Sequence, residues 1–173
     1  MSEQKQLSFR EQKAMKLKIE DEIPKFLEGD MKRSALDFVA YMRASKMQPS
    51  WQSTNSWKAS FKGQNICVIR LSNGSWCVVP RISRWNKLIG TYDIYEEELK
   101  RDGLTDIVLA NVNFCRSCAG CGPGWKMTFF GMEHENVCHN VPVRYIDPGE
   151  TEIDCIKKVL ELMKHTVENV KNV

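Results

Sequence analysis

Four cysteines within 24 residues, Cys115, Cys118, Cys121 and Cys138, constrain this chain more than any other feature of its sequence. Thiolates bind soft and borderline metals, and a Cys-x2-Cys spacing lets two sulfurs turn toward one ion while small residues between them permit a tight backbone. The spacing occurs twice in succession, Cys115-Arg116-Ser117-Cys118-Ala119-Gly120-Cys121, and Gly122-Pro123-Gly124 follows. Sixteen residues separate Cys121 from Cys138. That is comparable to the loop between ligand pairs in zinc ribbons, so Cys138 can return as the fourth sulfur. Arg116, Lys126 and Arg144 are close enough in sequence to offset the negative charge of four thiolates.

The cysteine pattern admits three chemistries. A structural zinc ion held by Cys115, Cys118, Cys121 and Cys138 is the leading one. An iron–sulfur cluster on the same four thiolates is the alternative, although the bacterial ferredoxin run would continue with a cysteine at position 125, which is Trp125, and with proline after the last cysteine, where His139 stands. A dithiol redox pair is the third. His134 and His139 are candidate substitutes for one thiolate. Cys67, Cys77 and Cys155 occupy positions where a small apolar residue would serve, and they read as ordinary buried thiols.

The rest of the chain predicts an α+β fold. Its 173 residues, 42% of them hydrophobic and 27% charged, are of ordinary globular composition and suit one domain. The expected organisation is an N-terminal helical segment over 1–48, a sheet-and-knuckle body over 49–148 and a C-terminal helix over 150–170. Ser8 and Glu11 have the spacing of a capping box and predict a surface helix from Ser8 to about Glu22. A more buried helix follows Asp30, with Ala35, Leu36, Phe38, Val39 and Met42 mostly on one side. After Pro49 the period shortens to two. Strands are expected over 56–62, 66–71 and 75–80, the last two joined by Asn73-Gly74 as a type I′ turn and the last ended by Pro80. A helix over 92–101 stops at Asp102-Gly103, Thr105 caps a short helix, and further strands are expected over 125–130 and 141–146. The closing helix, begun by Thr151 and Asp154, carries the stripe Ile153, Ile156, Val159, Leu160, Met163, Val167 and Val170. These elements predict an antiparallel sheet, a central meander joined by the late strands, covered on one face by the helices at 31–46 and 151–170.

Charge and targeting signals narrow the class further. A formal net charge of +3 is too small and dispersed for the basic stripe of a dedicated nucleic-acid binder. Uninterrupted apolar runs fall far short of the ~20 residues that span a membrane. The N-terminus lacks the apolar stretch of a secretory signal, which places the chain in the cytoplasm, where thiols stay reduced.

Trp51, Asn55, Trp57, Lys58, Phe61, Lys62, Arg70, Trp76, Arg81 and Trp85 form an aromatic and basic constellation. On a sheet surface, Trp57, Lys58, Arg70, Trp76 and Trp85 could stack on and neutralise a small ligand, a protein or, less readily, a nucleic acid. Strand alternation favours the plainer reading, with Trp57 and Phe61 in the core and Lys58 and Lys62 in solvent. There is no Gly-rich phosphate loop, Gly-x-Ser-x-Gly elbow or His-Glu-x-x-His. Glu133-His134-Glu135 is expected on a loop with nothing to desolvate it, so the reading leans toward a non-catalytic protein.

The segments Asn55-Ser-Trp-Lys-Ala-Ser-Phe-Lys-Gly63, Asn113-Phe-Cys-Arg-Ser-Cys-Ala-Gly-Cys-Gly-Pro-Gly124 and Phe130-Gly-Met-Glu-His-Glu-Asn-Val-Cys-His139 resemble those of a group of small cytoplasmic bacterial proteins with the same Cys-x2-Cys-x2-Cys-x-Pro-Gly knuckle. The resemblance covers roughly residues 35–165. The order of helices, hairpins and closing helix is similar to that of YdhG/YjbR-type α+β domains. Neither resemblance implies a particular reaction.

Overall fold

A computed structural model describes residues 9–15, 17–81, 91–116 and 122–170. The chain divides into two compact units, 1–77 and 78–173. The first contains helices α1 (Phe9–Met15), α2 (Ile19–Phe26) and α3 (Gly29–Ala44), then strands β1 (Gln48–Ser53), β2 (Ser56–Phe61) and β3 (Gln64–Ser72). Strand β4 (Ser75–Pro80) carries the chain across the boundary. The second unit holds α4 (Thr91–Arg101), α5 (Thr105–Ala110), β5 (Trp125–Phe129), β6 (Met132–Val137), β7 (Tyr145–Ile146) and α6 (Glu150–Val170).

The α+β class and the antiparallel sheet agree with the sequence reading, and the sheet has five strands in the order β1-β2-β3-β4-β7. Of the late strands only β7 joins it. Strands β5 and β6 pair with each other as a separate two-stranded ribbon, contrary to the expectation that 125–146 would extend the central sheet. The ribbon has too little apolar surface to pack in a sheet, since only Phe129 and Val137 of its eleven strand residues are buried. Segment 132–137, expected as a connection, is the second strand of this ribbon.

In the first unit, the single helix expected over 8–22 is two, and Ser8 lies outside the described residues. Lys18 is extended, with ψ 136°. The Leu17 carbonyl, which a continuous helix would have used internally, instead accepts the indole N–H of Trp57 at 2.9 Å. The break brings α2 inward, so Ile19, Ile23 and Leu27 are buried. A salt bridge between Arg43 and Glu20 ties α3 to α2 and lowers the Glu20 pKa. Phe38, Val39, Ala35 and Met42 form the buried side of α3, as the periodicity requires, and the Phe38 ring lies 6.0 Å from that of Trp76 on β4.

The hairpin turns redistribute the expected geometry. Both Lys62 and Gly63 have positive φ, 48° and 83°, so the two-residue link between β2 and β3 is the primed turn. At Asn73-Gly74 only Gly74 does, with φ 71°, and that link is not type I′. Strand β1 was not anticipated, because Gln48-Pro49-Ser50-Trp51-Gln52-Ser53 lacks apolar alternation. It lies at the sheet edge, where proline costs no ladder bond on the open side.

In the second unit α4 ends as its Asp102-Gly103 signal predicts. Gly103 N–H donates to Lys100 and Leu104 N–H to Leu99, the paired closure of a Schellman motif, with Gly103 at φ 71°. Lys158 of α6 holds the same end through Asp102 at 2.9 Å and Glu98 at 3.3 Å. Thr105 opens α5 without capping it; Leu104 is the N-cap and makes no side-chain cap bond. Helix α6 buries Ile153, Ile156, Val159, Leu160, Met163 and Val167 of the anticipated stripe, together with Cys155 and Leu162. No described helix is long and apolar enough to cross a membrane.

Candidate functional site

The cysteine segment hangs from a short ladder. Phe114 and Val137 form an antiparallel bridge, flanked by the amide of Cys115 donating to Asn136 at 2.7 Å and that of Cys138 donating to Asn113 at 2.8 Å. Side chains alternate across such a ladder, so Cys115 and Cys138 fall on one face as diagonal neighbours. Diagonal positions are typically ~7–8 Å apart, a span that two Cβ–Sγ arms can close upon one ion. Both thiols are free and half-buried. Cys118 and Cys121 lie outside the described residues, and among the described residues no three His, Cys, Asp or Glu side chains gather as a metal-holding group.

Asn136 closes the segment. Its side-chain N–H donates to the Cys115 carbonyl at 3.0 Å, and its Oδ1 accepts the Gly124 amide at 3.2 Å. One side chain thus fastens both ends of the 115–124 stretch that carries three of the four cysteines. The geometry depends on a bulge: Trp125 opposes Val137 while Met127 opposes His134, leaving an extra residue on β6. Asn136 occupies it with φ 59°, a left-handed conformation that asparagine tolerates better than most residues. Gly124 fits against it only because it has no Cβ, which would meet Asn136 backbone atoms at 2.5 and 2.6 Å. Sequence reasoning passed over Asn136. The available signal was an asparagine two residues before the last cysteine, with no apolar role to fill.

The surrounding rings are occupied with one another. His139 stacks on Trp125, with ring centres 5.0 Å apart and planes 17° from parallel. His134 lies 5.7 Å from Phe129 and 6.3 Å from Phe114. Both histidines therefore stand in aromatic contacts beside the ladder. Glu133-His134-Glu135 belongs to β6 and not to a loop. Glu133 and Glu135 pair with Lys126 at 2.7 and 3.6 Å, which raises the Lys126 pKa and engages one of the three cations expected to serve the thiolates.

The remaining cysteines are Cys67 and Cys155, both buried, and Cys77, half-buried. Cys155 meets the Tyr145 hydroxyl at 3.6 Å, and burial pushes its thiol pKa up, as befits an inert group. In the aromatic and basic constellation, Trp57 and Trp76 are both 1% exposed. They are core side chains without a face to offer a ligand. Lys58 and Arg70 are exposed, and Trp85 lies outside the described residues.

No family model, curated protein or solved structure matches the chain.

Proposed function

We propose that this is a non-catalytic, metal-stabilised module in which Cys115, Cys118, Cys121 and Cys138 hold one structural zinc ion. The observation that supports it is the Asn136 clamp, joined to the shared face of Cys115 and Cys138. Asn136 ties the two ends of the cysteine-bearing segment together, and Cys138 follows the ladder that begins beside Cys115. Four protein thiolates complete a tetrahedral zinc sphere and leave no position for substrate or an activated water. The ion contributes folding energy where the ribbon buries little apolar surface.

Elemental analysis of the full chain, prepared without chelator, tests the reading. One zinc per chain is expected, with metal lost and stability lowered in both Cys121→Ser and Cys138→Ser. Should a variant fail to fold, cobalt(II) loaded into the parent chain supplies the second readout, since tetrahedral thiolate coordination gives intense visible bands. Iron and sulfide with broad absorption near ~400 nm would replace zinc by an iron–sulfur cluster. Absence of metal, or full stability in both variants, would remove the proposal.

A further inference from the structure

A groove of about 270 Å³ opens beside the ladder, lined by Ala110–Phe114, Arg116, Arg144 and Ile146. It is built by backbone bonds and not by cysteines: Val112 bridges Val143, the Arg144 amide donates to Asn111 at 2.9 Å and the Asn113 amide to Pro142 at 2.8 Å. Arg116 and Arg144 are among its lining residues and no acidic residue is. The Nε of Arg144 is shielded from solvent and has no hydrogen-bond partner among the described residues. Phe114 and Ile146, both lining residues, are each 51% exposed.

Two arginines in the lining of one small concavity, with no acidic residue beside them and one carrying a buried donor unmet, favour the entry of an oxyanion. A guanidinium fork suits a phosphate or carboxylate because two parallel N–H groups match two oxygens. The exposed Phe114 ring and Ile146 side chain offer a planar, apolar body a place to lie. The volume is just below the ~300 Å³ at which pockets for whole small molecules begin, which suits one compact ligand and not a polymer.

We propose that this groove binds a small organic oxyanion, its phosphate or carboxylate head held by Arg144 and Arg116 and its planar body against Phe114 and Ile146. The site goes beyond the metal reading and does not require it.

The experiment is calorimetric titration of the full chain with adenosine monophosphate, benzoate, inorganic phosphate and adenosine. Saturable binding of at least one of the two organic anions is expected, tighter than inorganic phosphate, with adenosine inert. Arg144→Gln should weaken it at least tenfold, and Arg144→Lys should not restore it. Phe114→Ala should weaken the organic anion and leave inorganic phosphate unchanged. Arg116→Gln and Phe114→Ala alter exposed side chains and keep the test decisive if the Arg144 variants do not fold. The proposal fails if neither organic anion binds at millimolar concentration, or if binding is indifferent to Arg116 and Phe114. It also fails if oligonucleotide affinity climbs steadily with length, which would mark an extended nucleic-acid surface. Loss of metal from the arginine variants without any change in anion binding would assign the arginines to the thiolates and overturn it too.

Discussion

Gly124 lies so close to Asn136 that a Cβ at position 124 would fall 2.4 Å from the Asn136 Oδ1. The side-chain oxygen can rotate aside, but the backbone carbon and oxygen at 2.5 and 2.6 Å cannot. Gly124→Ala should therefore push the loop end off the ribbon and lower stability by about 1–3 kcal/mol, as overpacking does elsewhere. Urea unfolding measures it. Gly122→Ala is the control: φ is 63° with open space around the Cβ position, so it should cost only the left-handed backbone penalty of about 1 kcal/mol.

The clamp itself can be removed without disturbing its backbone. Asn136→Gly keeps the left-handed conformation and deletes both side-chain hydrogen bonds. Stability should fall by about 1–2 kcal/mol, and the affinity for zinc, measured by competition with a chelator, should fall with it. Unchanged metal affinity would show that the loop needs no help at its base.

Glu96 offers a test of how the ribbon turn is held. Phe130 and Gly131 form that turn with φ 53° and 78°, and the Phe130 amide donates to the buried Glu96 carboxylate at 2.6 Å. Glu96→Ala strands the donor and should cost about 1–3 kcal/mol, whereas Glu96→Gln retains an acceptor and should cost less. Thermal unfolding of the pair gives the comparison.

Tyr95 gives a pH signature. Burial pushes its phenol from the ordinary value near 10 to about 12, the Thr166 hydroxyl only partly offsetting this. The folded chain holds the proton after the unfolded chain has released it. Stability from this group is thus complete below pH 10 and declines as pH rises from about 10 to about 12. Spectrophotometric titration should show one tyrosine ionising late, and Tyr95→Phe should flatten the alkaline decline.

In the first unit, Trp57→Phe should cost about 1 kcal/mol or more, because the Leu17 carbonyl loses its indole donor and the smaller ring leaves space in the core. Chemical denaturation followed by circular dichroism measures it. An unchanged midpoint would show that the break between α1 and α2 is set by other contacts.

Periodicity made the regular elements legible. The stripe of α6, the buried side of α3 and the Schellman end of α4 follow from spacing and from one glycine, since each depends on neighbours in sequence. What stayed hidden depends on distant partners. The break before Ile19 is stabilised by a tryptophan 40 residues away, and nothing within 8–22 announces it. Strand β6 is polar on both faces, so no alternation marks it. Cysteine spacing pointed to a ligand set, yet the residue that fastens the loop is an ordinary asparagine whose role comes from a bulge. Arg116 and Arg144 were visible as nearby cations, but only the ladder shows that they line one groove.

The five-stranded sheet ends on β1 at one side and β7 at the other. An open strand edge is a template for a neighbouring chain, and unprotected edges lead to fibrous aggregates. Here Pro49 interrupts the donor row of β1, and β7 is only two residues long. Both features shorten the run of consecutive donors and acceptors that an incoming strand would meet among the described residues. Pro49→Val, which supplies an amide donor and a β-forming side chain on the edge strand β1, is therefore a change that would invite chains to zip together.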